Sequence, residues 1–234
     1  MKILVAIAEA YPFAKVGGLA DVGAGLSKAL ARRGHDVRMV LPGYRHLRPK
    51  EPSLVLTVPL GTSVHRVDIG QHGYHDGVGV WTAAPEGYFT DGAVYGYADH
   101  EVEPFILFGK AVVELAARWD WQPDIIHCHD WHSGLVPQYA RHGPYHAQLE
   151  RTGILLTIHN LAYQGRLGAA AETLAGLPGG ETSLLARGIA HADMVTTVSR
   201  RYREEILAPG RGMGLGRVLR RRARDLFGIV NGID

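Results

Sequence analysis

Lys2-Ile-Leu-Val-Ala-Ile-Ala8, followed by Leu19 to Arg33 and then Asp36-Val-Arg-Met-Val-Leu41, is the stretch on which the fold turns. Its first segment is an unbroken apolar run, too short for a helix and suited to a strand buried on both faces. Its second puts Leu19, Val22, Leu26, Ala29 and Leu30 on one helical face and stops at Gly34. Its third is again mostly apolar and is closed by Pro42-Gly43. Strand, loop, amphipathic helix, strand is the opening of a doubly wound, mainly parallel α/β sheet of Rossmann-like type.

Outward from there the pattern changes and then returns. Leu54 to Leu60, Val64 to Ile69 and Val78 to Ala83 predict short strands with a hairpin turn at His75-Asp76-Gly77, a β-excursion on the main sheet. Glu86 to Asp99 is a Gly- and Tyr-rich loop, and Phe105 to Trp119 has helical periodicity. Strands are then predicted for Asp124 to His129, Ile154 to His159, Met194 to Val198 and Leu226 to Val230. Helices are predicted for Ser133 to Arg141 and, capped by Ser199, as far as Leu207. Residues 166–182, rich in Gly and Ala, are expected to be irregular or weakly helical, and residues 209–217, with four glycines, to be mobile. The chain stops at Asn231-Gly-Ile-Asp234, directly after a strand and without a closing helix, as the first half of a longer protein or a natural remnant of one would.

Composition narrows the class of function. With 234 residues, 46% hydrophobic and 21% charged, the chain can bury one large core without a metal or disulfide staple. Lys+Arg 25 against Asp+Glu 23 leaves a net charge of +2, which points to neither nucleic acid nor a membrane surface as partner. The single Cys128 excludes an intramolecular disulfide and fits a reducing cytoplasm. The apolar start is too short for a signal core and is interrupted by Glu9, and no run approaches the ~18 apolar residues of a membrane span. A cytoplasmic protein is expected.

Four motifs sit where such sheets carry chemistry. Lys15-Val-Gly-Gly-Leu-Ala-Asp21 follows the first strand and opens a helix; its glycines admit a close ligand, and the helix N-terminus and Lys15 favour phosphate or another oxygen-rich group. It is neither a Walker loop nor the dinucleotide Gly-x-Gly-x-x-Gly. In His127-Cys-His-Asp-Trp-His132 the strand alternation places His127 and His129 on one face and Cys128 on the other. Asp130 and Trp131 follow at the strand end, where Asp130 could act as a helix N-cap or as a site residue. Thr157-Ile-His-Asn-Leu-Ala-Tyr-Gln-Gly165 brings His159 to the end of the next strand, so Lys15, Asp130 and His159 can converge on one crevice. Asp193-Met-Val-Thr-Thr-Val-Ser-Arg200 suits a structural role, and Arg220-Arg221-Arg222 a solvated helix face.

Together these motifs resemble bacterial glycogen synthases and plant starch synthases, glycosyltransferase family 5. Lys15-Val-Gly-Gly-Leu-Ala-Asp-Val22 is similar to the family's Lys-x-Gly-Gly-Leu signature, and His129-Asp-Trp-His-Ser-Gly-Leu135, Thr157 to Gly165, Ala192 to Ser199 and Asn231-Gly-Ile-Asp234 follow in the family's order. Residues 1–234 then correspond to the N-terminal domain, one half of a GT-B fold, with the C-terminal nucleotide-sugar domain absent. The resemblance implies transfer of glucose from ADP-glucose, a substrate rather than a cofactor, to the non-reducing end of an α-1,4-glucan. Configuration would be retained and no metal used. It implies Asp130 and His159 as catalytic residues, Lys15, Gly17, Gly18 and Asn160 on the donor side, and Asp21, Tyr95 and Trp131 on the acceptor side. Where the family has Leu-Lys-Ala/Gly-Gly, this chain has Leu185-Ala-Arg-Gly188. The isolated half is expected to be inactive. The competing readings are a non-catalytic glucan-binding or remnant module and, with no cysteine partner to support it, a metal-dependent hydrolase using His127, His129 and His132.

Overall fold

The computed structural model describes residues 1–95, 102–176 and 183–232. Nine strands form one sheet: β1 (Lys2–Ala6), β2 (Asp36–Pro42), β3 (Leu54–Leu60), β4 (Ser63–His75), β5 (Val78–Pro85), β6 (Ile125–His129), β7 (Gly153–Ile158), β8 (Met194–Thr197) and β9 (Leu226–Gly228). The helices are α1 (Gly18–Arg32), α2 (Glu103–Arg118), α3 (Val136–His142), α4 (Ala169–Ala175), α5 (Leu184–His191), α6 (Arg200–Leu207) and α7 (Gly216–Arg221). Strand order is β3-β4-β5-β2-β1-β6-β7-β8-β9. From β5 to β9 all neighbours are parallel, and β3 and β4 add an antiparallel edge.

This order follows from right-handed crossovers. Building from β1 toward β2 and from β6 toward β9 moves the chain in opposite directions, so the connecting helices fall on opposite faces. Ile3, Val5 and Ile7 of the β1 segment pack with Val37, Met39 and α1, whereas Leu4, Ala6 and Ala8 pack with α2, α3 and α5. Helix α2 is apolar on nearly every side because it is buried along almost its whole length, from Pro104 to Ala117. On α1's face, the β8 and β9 positions are less covered: Met194 and Phe227 are 47% and 44% exposed.

The predicted elements recur with differences, and α5 is an additional helix. The excursion belongs to the main sheet, and β4 runs on to His75 past a register shift between Gln71 and Tyr74, at Gly73 (φ +80°). Such an irregularity breaks the alternation and hides a long strand. The hairpin turn is where expected: Asp76 and Gly77 both have positive φ, 52° and 81°, as a two-residue primed turn requires. Residues 209–217 form turns leading directly into α7, and Met213 there accepts a hydrogen bond from Gln164. The Gly/Ala segment contains α4, while the rest of it (177–182), the end of the Tyr-rich loop (96–99) and Ile233-Asp234 lie outside the described residues. The helix at Ser133 to Arg141 is a 3-10 turn at Trp131–Ser133 followed by α3.

Candidate active site

Strands β1, β6 and β7 are adjacent, so their C-terminal ends lie side by side, and the strand order reverses between β1 and β6. Open α/β sheets bind ligands at such a switch point, because loops from strands connected on opposite faces diverge there and leave a crevice. The loops after these three strands carry Glu9 and Lys15–Gly18, then Asp130, then His159 and Asn160.

The glycine loop is exposed. Gly17 precedes α1 with no side-chain cap, so the helix's first N–H groups are not consumed by one. Neither Gly17 nor Gly18 has a positive φ, and a Cβ on either would meet nothing within 4 Å. Neither backbone strain nor internal packing demands glycine here, so what the two positions supply is room against the backbone. Lys15 reaches Asp21 at 2.6 Å and lies over the Tyr11 ring; both charges of the pair are about half exposed, and the contact adds little stability.

Glu9 holds this loop and was not among the residues singled out from sequence. Only 3% exposed, its carboxylate accepts the Val16 and Gly17 amides at 2.6 and 2.8 Å and the Tyr95 hydroxyl. Tyr95 also stacks on His132, and burial followed by its bond to Glu9 raises its hydroxyl pKa. An acidic residue breaking an apolar strand just before a glycine loop was the available signal.

Asp130 does not cap its own 3-10 turn. It sits at φ +54°, and Oδ1 instead reaches the neighbouring loop, accepting the His159 amide at 2.7 Å and the Asn160 amide at 3.4 Å. Burial pushes this carboxyl up to about 7; the two amides oppose the rise and the Glu9 charge adds to it. Asn160 is exposed, and its side-chain oxygen accepts the Ala162 amide at 3.0 Å.

Behind Asp130 lies a row of neutral histidines. His159 Nε2 is 2.9 Å from His129 Nδ1, the His129 and His127 rings lie tilted against each other with centres 4.1 Å apart, and His127 Nε2 is 2.7 Å from the Thr157 hydroxyl, itself 2.7 Å from Thr196. Burial lowers His127 to about 3, His159 to about 4, and His129 well below the usual imidazole value. His132 turns to Tyr95, Phe105 and Trp131, so it does not join His127 and His129. Among the described residues no three His, Cys, Asp or Glu side chains are arranged to hold a metal.

The structure therefore brings Lys15, Gly17, Gly18, Asp21, Tyr95, Asp130, His159 and Asn160 to one end of the sheet, with Glu9 tying the glycine loop to Tyr95 and Asp130 tied to the His159–Asn160 loop. Trp131 goes elsewhere: it is 4% exposed, edge-on to Phe105, with a Cβ at Gly165 predicted to fall 2.4 Å from its ring. Much of each motif is scaffold. Ser133 binds both the amide and the carbonyl of His129, and Gly134 and Gly188 let α5 cross the turn after Asp130 at backbone contact. Thr197 donates to Ile158, and Ser199 caps α6 by accepting the Tyr202 amide. In the departure segment, Arg187 is 2% exposed and binds Gln138 and Glu172. Arg222 is not a solvated helix residue: it donates to the carbonyls of Ile189, Ala190 and Asp193, satisfying the end of α5, while Arg220 and Arg221 are exposed.

Residues 2–221 match the family described as the starch synthase catalytic domain. The chain is 40% identical over 258 aligned positions to glycogen synthase 2 of Geobacter sulfurreducens, and 40% over 256 to glycogen synthase of Desulforamulus reducens. All of the chain aligns with 52% of each, so it spans about half the length of these relatives. A solved structure of the catalytic domain of starch synthase IV from Arabidopsis thaliana, bound to ADP and acarbose, superposes with a TM-score of 0.89 at 31% identity. That match covers 100% of this chain and 52% of the other. Sucrose-phosphate synthase from Thermosynechococcus elongatus, at 18% identity and a TM-score of 0.53, shares the fold.

Proposed function

This chain belongs to the starch synthase catalytic-domain family, glycosyltransferase family 5, and on that premise we propose that it is the N-terminal half of a retaining, cytoplasmic glucosyltransferase. The enzyme moves glucose from ADP-glucose to the non-reducing end of an α-1,4-glucan, with a second, nucleotide-sugar-binding domain closing the crevice. The observation that carries this reading is the meeting of an open glycine loop with the Asp130–His159 loop at the sheet's switch point. The relative solved with ADP and acarbose adds support for the donor nucleotide and the glucan.

In this reading Lys15, the uncapped start of α1 and the space at Gly17 and Gly18 face the donor, with Asn160 beside the sugar. A cation and free amides stabilise negative charge as the diphosphate departs. Asp130, held at Oδ1 by two amides, lies beside the transferred glucosyl unit. Burial makes its ionised form costly, and an oxocarbenium-like sugar supplies the positive charge that favours it. Asp21 and Tyr95 lie on the acceptor side. The chemistry assigned to these residues needs no metal.

The test follows glucose incorporation into glycogen from ADP-glucose, with UDP-glucose in parallel. The 234-residue chain alone gives background transfer, since the diphosphate lacks its second wall and water is not excluded. A protein joining this chain to the half its relatives carry gives turnover with ADP-glucose. Glucan binding without turnover in that complete protein would favour the non-catalytic reading instead, and robust turnover by the chain alone would overturn the two-wall account.

A further inference from the structure

A neutral imidazole has one N–H and one lone pair. His129 Nδ1 and His159 Nε2 are 2.9 Å apart, so one donates and the other accepts. What decides the direction is the far side of His129. Its Nε2 is enclosed and has no hydrogen-bond partner among the described residues. If His159 donated, His129 would carry its proton on Nε2, leaving a buried N–H with no acceptor. If His129 donates from Nδ1, the enclosed Nε2 holds only a lone pair. Orphaned buried N–H groups are rarer in proteins than under-used acceptors, so the second arrangement is favoured. His159 then accepts at Nε2 and carries its own proton on Nδ1. That nitrogen has no hydrogen-bond partner among the described residues and is not one of the enclosed polar atoms, so it remains accessible to a ligand.

We propose that His129 is a positioning residue that fixes His159 in its Nδ1–H form, so that His159 meets the crevice as a hydrogen-bond donor to a hydroxyl or ether oxygen of the sugar and not as a base. The role toward a sugar rests on the glucosyl-transfer reading; the proton's position does not. Two contacts brace the arrangement. Asp130 holds the His159 backbone at 2.7 Å, and the His127 ring, tied to Thr157, lies against His129 at 4.1 Å between ring centres. Burial keeps all three rings neutral near pH 7, so the single-proton accounting applies there.

Nitrogen NMR of the uniformly labelled chain tests this without any ligand, because the protonated and bare nitrogens of a neutral imidazole resonate far apart and couple differently to the ring protons. At neutral pH both His129 and His159 are expected as Nδ1–H forms. Finding His159 protonated on Nε2 overturns the proposal from the parent chain alone, whatever the variants do. In His129→Phe, His159 should shift toward the Nε2–H form that free histidine prefers. In His129→Asn, whose amide N–H can replace the Nδ1 donor, the Nδ1–H form should persist. An unchanged His159 tautomer in a folded His129→Phe chain also overturns the proposal. In the complete enzyme His129→Phe should lower kcat about tenfold, and His129→Asn should recover most of it. Absence of glucosyl transfer in the parent enzyme would break the functional reading and leave the NMR result standing.

Discussion

The two walls of the crevice are built in opposite ways. The glycine-loop wall is exposed, its lysine neutralised by a neighbouring aspartate, its glycines surrounded by empty space. The histidine wall is largely buried: His129 is 0% and Asp130 7% exposed, and the two hold the ring and the backbone of His159 from the neighbouring strand. One wall has little internal reason for its residues and gains its meaning from a ligand. The other already spends fold stability on a fixed arrangement of groups before any ligand arrives. Mutations on the first should therefore change function with little effect on stability, and changes on the second should move stability together with kcat.

The largest expected effect is on the buried wall, through acid. His127, His132 and His159 titrate near 3 to 4 in the fold, and His129 is also lowered, against about 6.5 when unfolded. Groups with depressed histidine values bind protons better when unfolded, so their contribution is intact above about pH 6.5 and is lost as pH falls toward 4. His127, His132 and His159 each cost about 2 kcal/mol at pH 5, and the lowered His129 acts in the same direction. Asp130 runs the other way: its raised value, about 7, makes the fold prefer the protonated acid, and acidification returns about 3 kcal/mol. The four histidines outweigh the one carboxyl. Denaturant unfolding of the chain at pH 7.5 and pH 5 should show a net loss of about 3 kcal/mol from the three valued histidines and the carboxyl; equal stability at the two values would contradict a wall of neutral histidines.

Next come Asp130→Ala and His159→Ala in the complete enzyme, each lowering kcat at least ~10²-fold with donor affinity mostly kept, because both groups face the sugar where charge develops. A fall in affinity alone, with kcat intact, would move these residues from the reacting sugar to mere binding. On the isolated chain, Asp130→Asn removes the buried charge but keeps an oxygen for the two amides. It should raise stability at pH 8 by roughly 2 kcal/mol and by nothing at pH 4, as thermal melts at the two pH values would reveal.

The open wall should behave differently. Gly17→Ala and Gly18→Ala have room for the added methyl, so melting temperature should hold while kcat/KM of the complete enzyme drops about tenfold. A large loss of stability would show that the glycines serve the fold after all. The smallest effect is expected for Lys15→Ala, within ~0.5 kcal/mol of the parent in stability because the ion pair is exposed. Both KM and kcat should worsen, since a charge near the diphosphate acts before and during bond breaking.

The contrast between the walls also marks what could be read in advance. The glycine loop of the open wall was legible: two adjacent glycines before an amphipathic helix, with a lysine beside them, are a local pattern. The buried wall was legible only as a cluster of unusual residues. Trp131 was expected to face sugar because aromatics often do, yet the apolar pressure of Phe105 and the space left by Gly165 draw it inward. Glu9 was passed over because a single acidic residue has no periodicity to announce it, and its partners are seven, eight and 86 residues away. Helix α5 was not foreseen, since it is only eight residues long and its amphipathic face covers barely two turns.

By itself, the sequence determined the alternation of buried strands and amphipathic helices, the glycine stops and primed turn, and the order of motifs that carries family membership. These are written in neighbouring residues, where hydrophobic period and backbone preference act directly. The tertiary structure alone decided which members of each motif face the crevice and which brace it. That choice depends on strand register: His129 lies opposite Thr157, which carries His159 two residues on to the rim within reach of both His129 and Asp130. Partners about thirty residues apart meet only when parallel strands pair, and no local pattern encodes the distance between them.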